Sequence, residues 1–223
     1  MLEHFQKLAS RYTTRNYDSG STIIFQGEVP QNACLLLSGT VRVFNISFQG
    51  EEQTIGFHVA GDFFPSLWIF DKTPTSVYFY EAMTDAKVCF IPRKDFLDSF
   101  VASAASSALL TDYLSGAYTI SQLRIIALSQ SRSQEKIMLT LYYLCQGYGS
   151  LQDDKTVKIS LKLTHHHIAS LIGLTRETTA TELSKLKRKK IVNYKNQQYT
   201  VDVQKLLRSI GEDSLSSLRL NNH

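Results

Sequence analysis

The sequence predicts an α+β protein built from an N-terminal antiparallel β-roll, a long helix and a C-terminal winged helix-turn-helix. Three observations lead to this prediction. Short β-rich runs separated by glycines fill residues 18–92, which is typical of antiparallel sheets. A stretch without proline from 95 to 128 favours helix, and residues 164–199 have the pattern of helix, tight turn, helix and hairpin. The expected bounds of the three regions are 1–94, 95–130 and 131–223.

Composition and charge narrow the class of protein. The chain has 223 residues, 43% of them hydrophobic, which supports a buried core in one large domain or two small ones. The net charge of +4 is modest, but six basic residues and no acidic one lie between Lys185 and Lys195. The sequence shows no secretion signal and no apolar run of about 18 residues, so we expect a cytoplasmic protein without a membrane span. Three widely spaced cysteines, Cys34, Cys89 and Cys145, indicate reduced thiols.

The glycine-punctuated region contains six predicted strands. Each run is rich in residues that favour strands and is bounded by turn signals. The predicted strands are Thr22–Gln26, Cys34–Ser38, Thr40–Ser47, Glu52–His58, Ser76–Ala82 and Lys87–Ile91. Residues 1–17 are expected to form a short helix followed by irregular chain. The pattern favours an antiparallel sandwich or roll without a helix of useful length inside it.

The stretch from Asp95 to Leu128 predicts one long helix with two apolar stripes. The first stripe contains Leu114, Tyr118, Ile125 and Leu128, with Ser121 between them. The second contains Leu109, Tyr113, Ile120, Leu123 and Ala127. Because a helix that is apolar on two sides buries both, we expect one side to pack on its own β-roll and the other on a second copy. The alternative, a core helix of a monomer, stays open at this point.

The chain then continues in shorter elements. A hinge at 132–133 precedes a predicted helix at 134–146, whose Ile137, Leu141 and Leu144 would pack under the helix-turn-helix. The remaining predictions are a polar loop at 147–155, a strand at 157–161 and a last helix at 203–210.

The helix-turn-helix is predicted from its caps and its spacing. Thr164 precedes a helix at His165–Ile172, and Gly173 stands where a left-handed residue ends a helix. Thr175 is placed to cap a second helix through its hydroxyl. The inner face of that helix is predicted to contain Thr178, Leu183, Leu186 and Ile191. The outer face is predicted to contain Arg176, Glu177, Ala180, Thr181 and Ser184.

This arrangement suits double-stranded DNA. A recognition helix enters the major groove with its N-terminus first, so Arg176 is placed to bond a guanine and Glu177 to accept from cytosine N4. The lysine cluster would lie near phosphates and add affinity that falls with salt. The residues predicted to contact DNA are Thr164, His165, His166, Arg176, Glu177, Thr179, Ala180, Thr181, Ser184, Lys187 and Lys195. The alternative interpretation is a surface helix with a solvated run of charge.

Three segments of the chain are informative together: LLLSGTVRVF (Leu35–Phe44), GDFF (Gly61–Phe64) and LTRET (Leu174–Thr178). They resemble the cyclic-AMP receptor protein / fumarate-nitrate-reduction regulator (Crp/Fnr) family of bacterial transcription factors. The stretch LYYLCQGYG, followed by the helix-turn-helix, is most similar to the nitrogen-control branch. The resemblance implies a homodimer that binds a palindromic DNA site and works with RNA polymerase. It also implies a cyclic nucleotide-binding-like roll as the sensor, joined to a dimerisation helix and a winged helix-turn-helix.

The resemblance also locates a candidate effector pocket in the roll. The family's phosphate-binding positions fall on Pro65-Ser66-Leu67 and Ser76-Val77-Tyr78, so Ser66 replaces the ribose-binding carboxylate and Ser76 the phosphate-binding arginine. A phosphate buried without a cation is costly, so cyclic AMP is not the expected ligand, and 2-oxoglutarate is disfavoured too. The candidate pocket residues are Phe64, Pro65, Ser66, Leu67, Ser76, Val77, Tyr78 and Ser121. A small neutral or apolar effector, or a pocket filled by its own side chains, both stay open.

No cofactor is expected. An iron–sulfur cluster of this family needs four cysteines, which the chain does not have. His58 and Cys89 are conceivable haem ligands, but packed strand residues are the commoner use of both. His165, His166 and His167 splay by about 100° each on a helix, so they do not converge on a metal. We find no nucleophile–base pattern and therefore expect no enzyme. The alternative function is a small-molecule-binding protein with no DNA role.

Overall fold

The computed structural model describes residues 8–211, and these fall into two compact units. The first unit ends at Tyr113 and the second begins at Leu114. Of the predicted helix and irregular chain at 1–17, residues 1–7 lie outside the described residues. Within the described chain, no helix has both the length and the apolarity that a membrane crossing requires.

The first unit is a roll of two four-stranded antiparallel sheets. Its strands are β1 Thr14–Tyr17, β2 Thr22–Ile24, β3 Asn32–Ser38, β4 Thr40–Ile46, β5 Glu52–Val59, β6 Phe63–Phe64, β7 Phe79–Ala82 and β8 Ala86–Pro92. A short helix, α1 (Ser66–Ile69), lies between β6 and β7, and α2 (Arg93–Val101) follows β8. The sheet orders are β1-β8-β3-β6 and β2-β7-β4-β5. The six predicted strands and the antiparallel roll are confirmed.

Besides the unpredicted strand β6, two details of the roll differ from the prediction. Residues 14–17, expected to be irregular, form the edge strand β1, which pairs with β8 from Thr14 opposite Cys89 to Tyr17 opposite Ala86. The strand expected from Ser76 begins only at Phe79, because Ser76 instead exchanges backbone hydrogen bonds with Gly27 and Glu28 in a loop. Both differences depend on partners distant in sequence.

Alternation along the strands produces two cores. Cys34, Leu36 and Val88 face the space between the sheets and pack with Val41 and Tyr80 of the second sheet. The other face of the first sheet packs against α2. The residues of that second core include Leu35, Phe63, Cys89, Ile91, Phe96 and Phe100, with Tyr113 partly buried against them.

The prediction of one helix from 95 to 128 is wrong, because the chain breaks between α2 and α3 (Ala104–Ser129). Ser103 lies at the break, and its hydroxyl oxygen accepts the backbone N–H of Ser106 at 3.1 Å. Serine competes with helix continuation by capping a new one. The boundary between the two compact units lies inside α3.

The two apolar stripes of α3 have different environments. Leu123 and Ala127 of the second stripe are buried. Leu114, Tyr118, Ile125 and Leu128 of the first stripe are 40%, 67%, 56% and 39% exposed. One chain alone therefore leaves this stripe in contact with water.

The second unit contains the C-terminal part of α3 and eight further elements. These are α4 Ser133–Tyr148, β9 Gly149–Leu151, β10 Thr156–Ile159, α5 His165–Ile172, α6 Arg176–Arg188, β11 Val192–Lys195, β12 Gln198–Asp202 and α7 Val203–Ile210. The four strands form one sheet in the order β11-β12-β10-β9. The predicted core face of α4 is confirmed, since Ile137, Leu141 and Leu144 are fully buried.

The polar loop predicted at 147–155 is partly a strand. β9 pairs with β10, with Leu151 opposite Val157 and Gly149 opposite Ile159. A Cβ on Gly149 would lie 2.2 Å from the Cys145 carbonyl oxygen, so the chain can leave α4 this closely only at a glycine. The strand was not predicted because residues 147–155 are mostly polar and lack the apolar alternation of a strand.

Candidate functional site

The first helix of the candidate DNA interface begins with a reciprocal cap. The Thr164 hydroxyl oxygen accepts the N–H of His167 at 3.1 Å, and His167 Nδ1 accepts the N–H of Thr164 at 3.3 Å. These bonds satisfy two backbone donors that a helix start otherwise leaves unpaired. The predicted N-cap is confirmed, and the His167 ring is turned back onto the helix start.

The turn between the two helices also has the predicted chemistry. Gly173 has φ of 64°, the left-handed conformation that ends α5. Leu174 then donates its N–H to the Ala169 carbonyl at 3.1 Å. The Thr175 hydroxyl oxygen accepts the N–H of Thr178 at 3.1 Å and begins α6. This short turn fixes the angle at which α6 leaves α5.

The outer face of α6 is as predicted, with one exception. Its exposed residues are Arg176, Glu177, Thr181 and Ser184, and Ala180 is half-buried. Leu183 and Leu186 are fully buried on the other side, and Ile191 beyond the helix is buried. The exception is Thr179, which we expected to contact DNA but which is 0% exposed. Thr179, Glu182, Leu183 and Leu186 form one buried stripe at helical spacing, so Thr179 belongs to the core rather than to the interface. Thr178, expected on the inner face, is half-buried.

The end of α6 concentrates positive charge. The exposed basic residues are Lys185, Lys187, Arg188, Lys189 and Lys190. Lys185 pairs with Glu182 at 2.6 Å, which offsets part of its charge. Lys187 instead reaches the hairpin, where its Nζ donates to the Tyr194 carbonyl at 3.3 Å. Lys195 at the end of β11 is exposed.

The histidine run begins beside this hairpin. His165 is half-buried, and its ring meets the Tyr194 ring edge-on at 5.1 Å between centroids. Desolvation lowers the pKa of His165, and the Arg176 guanidinium lowers it further. His166 is exposed and Thr164 is half-buried. Within residues 8–211, no group of three His, Cys, Asp or Glu side chains could hold a metal.

Sequence reasoning missed Tyr194. It contacts His165, Lys187 and Tyr199, which belong to three different elements. An aromatic residue facing inward on a short hairpin is a weak signal, and only the fold brings these neighbours together.

The residues of the candidate effector pocket differ in their exposure. Phe64 and Pro65 are buried, while Ser66 is half-buried and Leu67 exposed. Ser76 is buried, and its hydroxyl donates to the Tyr78 carbonyl at 2.7 Å. The residue that stands at the family's arginine position is therefore used to hold its own loop.

Three nearly parallel rings, one of them Phe64, pack together in this part of the roll. The centroids of Phe64 and Tyr80 lie 4.9 Å apart, those of His58 and Phe64 5.3 Å, and those of His58 and Tyr80 6.0 Å. Their interplanar angles are 12–17°. Sequence reasoning chose Tyr78 and missed Tyr80, although Tyr80 is buried in the core between the sheets and Tyr78 packs against that core.

The ring stack is connected to the long helix through Asp62. His58 Nδ1 lies 3.5 Å from one Asp62 carboxylate oxygen, and the Tyr113 hydroxyl donates to the other at 3.0 Å. Burial raises the pKa of Tyr113, and the Asp62 carboxylate raises it further. The ring stack is therefore linked to α3 by two contacts, from His58 to Asp62 and from Asp62 to Tyr113.

The other proposed pocket and haem residues are placed elsewhere. Ser121 is exposed in the second unit, and its hydroxyl donates to the Ala117 carbonyl at 2.8 Å. Cys89 packs in the core on the far side of the first sheet from the stack that contains His58. These two side chains do not converge on one haem.

Comparison with known proteins gives the same two-part organisation. A cyclic nucleotide-binding domain matches residues 14–102, and a Crp-like helix-turn-helix domain matches residues 135–209. The fumarate nitrate reduction regulatory protein of Klebsiella oxytoca is 26% identical over 190 residues, which cover 84% of this chain and 74% of that protein. The nitrogen fixation regulation protein FixK of Rhizobium meliloti is 25% identical over 189 residues, which cover 85% of this chain and 82% of that protein.

A solved structure has the same fold. A mutant form of CooA from Carboxydothermus hydrogenoformans matches with a TM-score of 0.74 and 22% identity, covering 92% of this chain and 90% of that chain.

Proposed function

This chain belongs to the Crp/Fnr family of transcription regulators, and from that premise we propose that it acts as a homodimer on a palindromic DNA site. The helix-turn-helix is its DNA-binding domain. In the proposed complex α6 lies in the major groove, where Arg176 bonds a guanine and Glu177 accepts from the paired cytosine. The two residues then read one G·C base pair in each half-site.

One observation carries this proposal: the exposed face of α6 is polar at its capped N-terminus and basic at its other end. Arg176 and Glu177 are the first two residues after the Thr175 cap, and Thr181 and Ser184 continue the same exposed face. Side chains at a helix N-terminus reach base edges, whereas lysines at its flanks reach phosphates. The distribution of side chains therefore supports base recognition by the N-terminal end of α6 and phosphate binding by its C-terminal end.

The exposed stripe of α3 supports the homodimer. Leu114, Tyr118, Ile125 and Leu128 lie along one side of a helix of 26 residues and are each at least 39% exposed. Pairing this stripe with its copy removes it from water. A two-fold pair also presents two α6 helices to half-sites about one DNA turn apart.

The roll supports a response to something other than cyclic AMP. Ser66 and Ser76 provide no charge for a ribose or phosphate, and Ser76 is bonded to its own loop. The stack of His58, Phe64 and Tyr80 offers an aromatic surface instead. Two modes of regulation are compatible with this observation. In the first, a small neutral or apolar effector inserts at the stack. In the second, the roll is permanently filled by its own side chains and needs no effector. Iron–sulfur and haem chemistry form no part of the proposal.

The proposal includes RNA polymerase as a partner, since a DNA-bound regulator acts through that enzyme. It includes no enzymatic activity, because the relatives are named as regulatory proteins. The alternative of a small-molecule-binding protein without a DNA role is not favoured, because a DNA-binding domain matches residues 135–209.

Selection of bound fragments from genomic DNA tests the proposed function. Purified protein is expected to enrich fragments that share a two-fold symmetric sequence. Arg176→Ala should enrich fragments that have lost the preference at one base pair of each half-site, whereas Arg208→Ala, which removes an exposed charge from α7 outside the proposed interface, should enrich the same sequence as the parent. Enrichment of no sequence, or of sequences without symmetry, would contradict the homodimeric regulator.

A further inference from the structure

Tyr194 lies at the centre of a cluster that joins three parts of the DNA-binding unit. Its ring lies 5.1 Å from the His165 ring at the start of α5, at an interplanar angle of 82°. The Tyr199 ring of β12 stacks on it at 5.4 Å. The Lys187 ammonium from the end of α6 lies 4.5 Å from its centroid. The two neighbouring rings hold the Tyr194 ring in place, and the ring in turn meets a lysine.

Lys187 is held by Tyr194 in two ways. Its ammonium lies over the aromatic face, and it also donates a hydrogen bond to the Tyr194 carbonyl at 3.3 Å. An ammonium has three donors, so this arrangement leaves two for another acceptor. The side chain remains exposed. A lysine that is already ordered loses less freedom when it binds a phosphate than a mobile one does.

The other basic residues at this end of α6 are arranged differently. Lys185 pairs with Glu182. The side chains of Arg188, Lys189 and Lys190 are exposed and make no hydrogen bond or ion pair within residues 8–211. In the same part of the chain the Tyr194 hydroxyl also makes no hydrogen bond. The ring of Tyr194, rather than its hydroxyl, is therefore the group that the structure uses.

We propose that Tyr194 is a positioning residue for DNA binding, whose ring seats Lys187 so that its ammonium meets a phosphate beside the groove that α6 enters. This inference rests on the proposed function. It assigns Tyr194 an effect on affinity for every DNA sequence, since phosphate contacts carry no base information. It leaves base selection to Arg176 and Glu177.

Substitutions at Tyr194 separate the ring from the hydroxyl. Tyr194→Phe keeps the aromatic face and should bind DNA as the parent does. Tyr194→Leu keeps apolar bulk without the aromatic face and should weaken binding by about two- to fivefold per half-site, equally on specific and random duplexes. Thermal unfolding of each variant checks that the hairpin is intact. If Phe weakens binding as much as Leu does, the hydroxyl is the active group and the proposal is wrong.

A double-mutant cycle tests whether Tyr194 acts through Lys187. Lys187→Ala leaves the ring cluster untouched and should weaken binding at least as much as Tyr194→Leu. Adding Tyr194→Leu to Lys187→Ala should then cause no further loss. Lys189→Ala is the matched control, because it removes a neighbouring charge with no ring beneath it, and its effect should add to that of Tyr194→Leu. Equal additivity with both lysines would overturn the proposal.

The outcomes also separate this proposal from the proposed function. If the parent protein binds no DNA, the function itself fails. If the parent binds and Arg176→Ala loses sequence preference while Tyr194→Leu binds normally, only the positioning role is wrong.

Discussion

Replacing Ile125 with alanine should dissociate the homodimer. The substitution removes three carbons from a side chain that is 56% exposed in the single chain. At about 0.8 kcal/mol for each buried carbon, covering that exposed fraction contributes about 1.3 kcal/mol per protomer. A two-fold interface contains the residue twice, so the variant should lose about 2.5–3 kcal/mol of association free energy. That loss raises the dimer dissociation constant by about 100-fold.

Sedimentation equilibrium over a range of protein concentrations measures this constant directly. Asp112→Ala is the control, because Asp112 is exposed on the same helix but on the side away from the stripe. It should leave the dissociation constant unchanged. If Ile125→Ala also left it unchanged, the exposed stripe of α3 would not be the surface that joins the two copies.

Three further predictions concern the DNA-binding unit. Thr175→Ala removes the cap that accepts the Thr178 N–H and should lower the free energy of unfolding by about 1 kcal/mol in urea titrations; an unchanged midpoint would refute the role of the cap. The Thr179 hydroxyl is buried without a hydrogen-bond partner within residues 8–211. Thr179→Val should therefore increase the free energy of unfolding by about 1 kcal/mol and leave DNA affinity unchanged. Reduced DNA affinity would show that Thr179 contacts DNA after all. The pKa of His165 is lowered in the folded protein, so the unfolded state takes up its proton first as pH falls. Stability should therefore decrease as pH falls through the ordinary histidine range below about 6.5. DNA affinity should rise over the same range, because a protonated His165 adds a positive charge to the predicted DNA-contacting surface. His165→Asn should flatten the pH dependence of both stability and DNA affinity. Identical pH profiles for parent and variant would show that His165 is not the group responsible.

The first and last residues of α5 and α6 can be predicted from the sequence, because the signals that set them are local. Thr164, Gly173 and Thr175 act within four residues of their own positions, through caps and a left-handed turn. The break at Ser103 is equally local, yet it escaped prediction, since a serine that begins a new helix looks the same in sequence as one inside a helix.

Contacts between distant elements set the limit of prediction. The side of α6 on which Thr179 lies depends on how the helix rotates against its core, and a position just after the cap does not reveal it. The stack of Tyr80 on His58 joins two strands, and the seat of Lys187 on Tyr194 joins a helix to a hairpin. Such pairs appear only when the fold has brought the elements together.

The reading of one G·C base pair by Arg176 and Glu177 is tested most directly by exchanging that pair in a recovered site. The parent protein should bind the altered site about 1–3 kcal/mol more weakly, and Arg176→Ala should discriminate between the two sites less strongly, because only Glu177 still reads the pair. If Arg176→Ala discriminates between the two sites as strongly as the parent does, α6 does not read DNA in the way described.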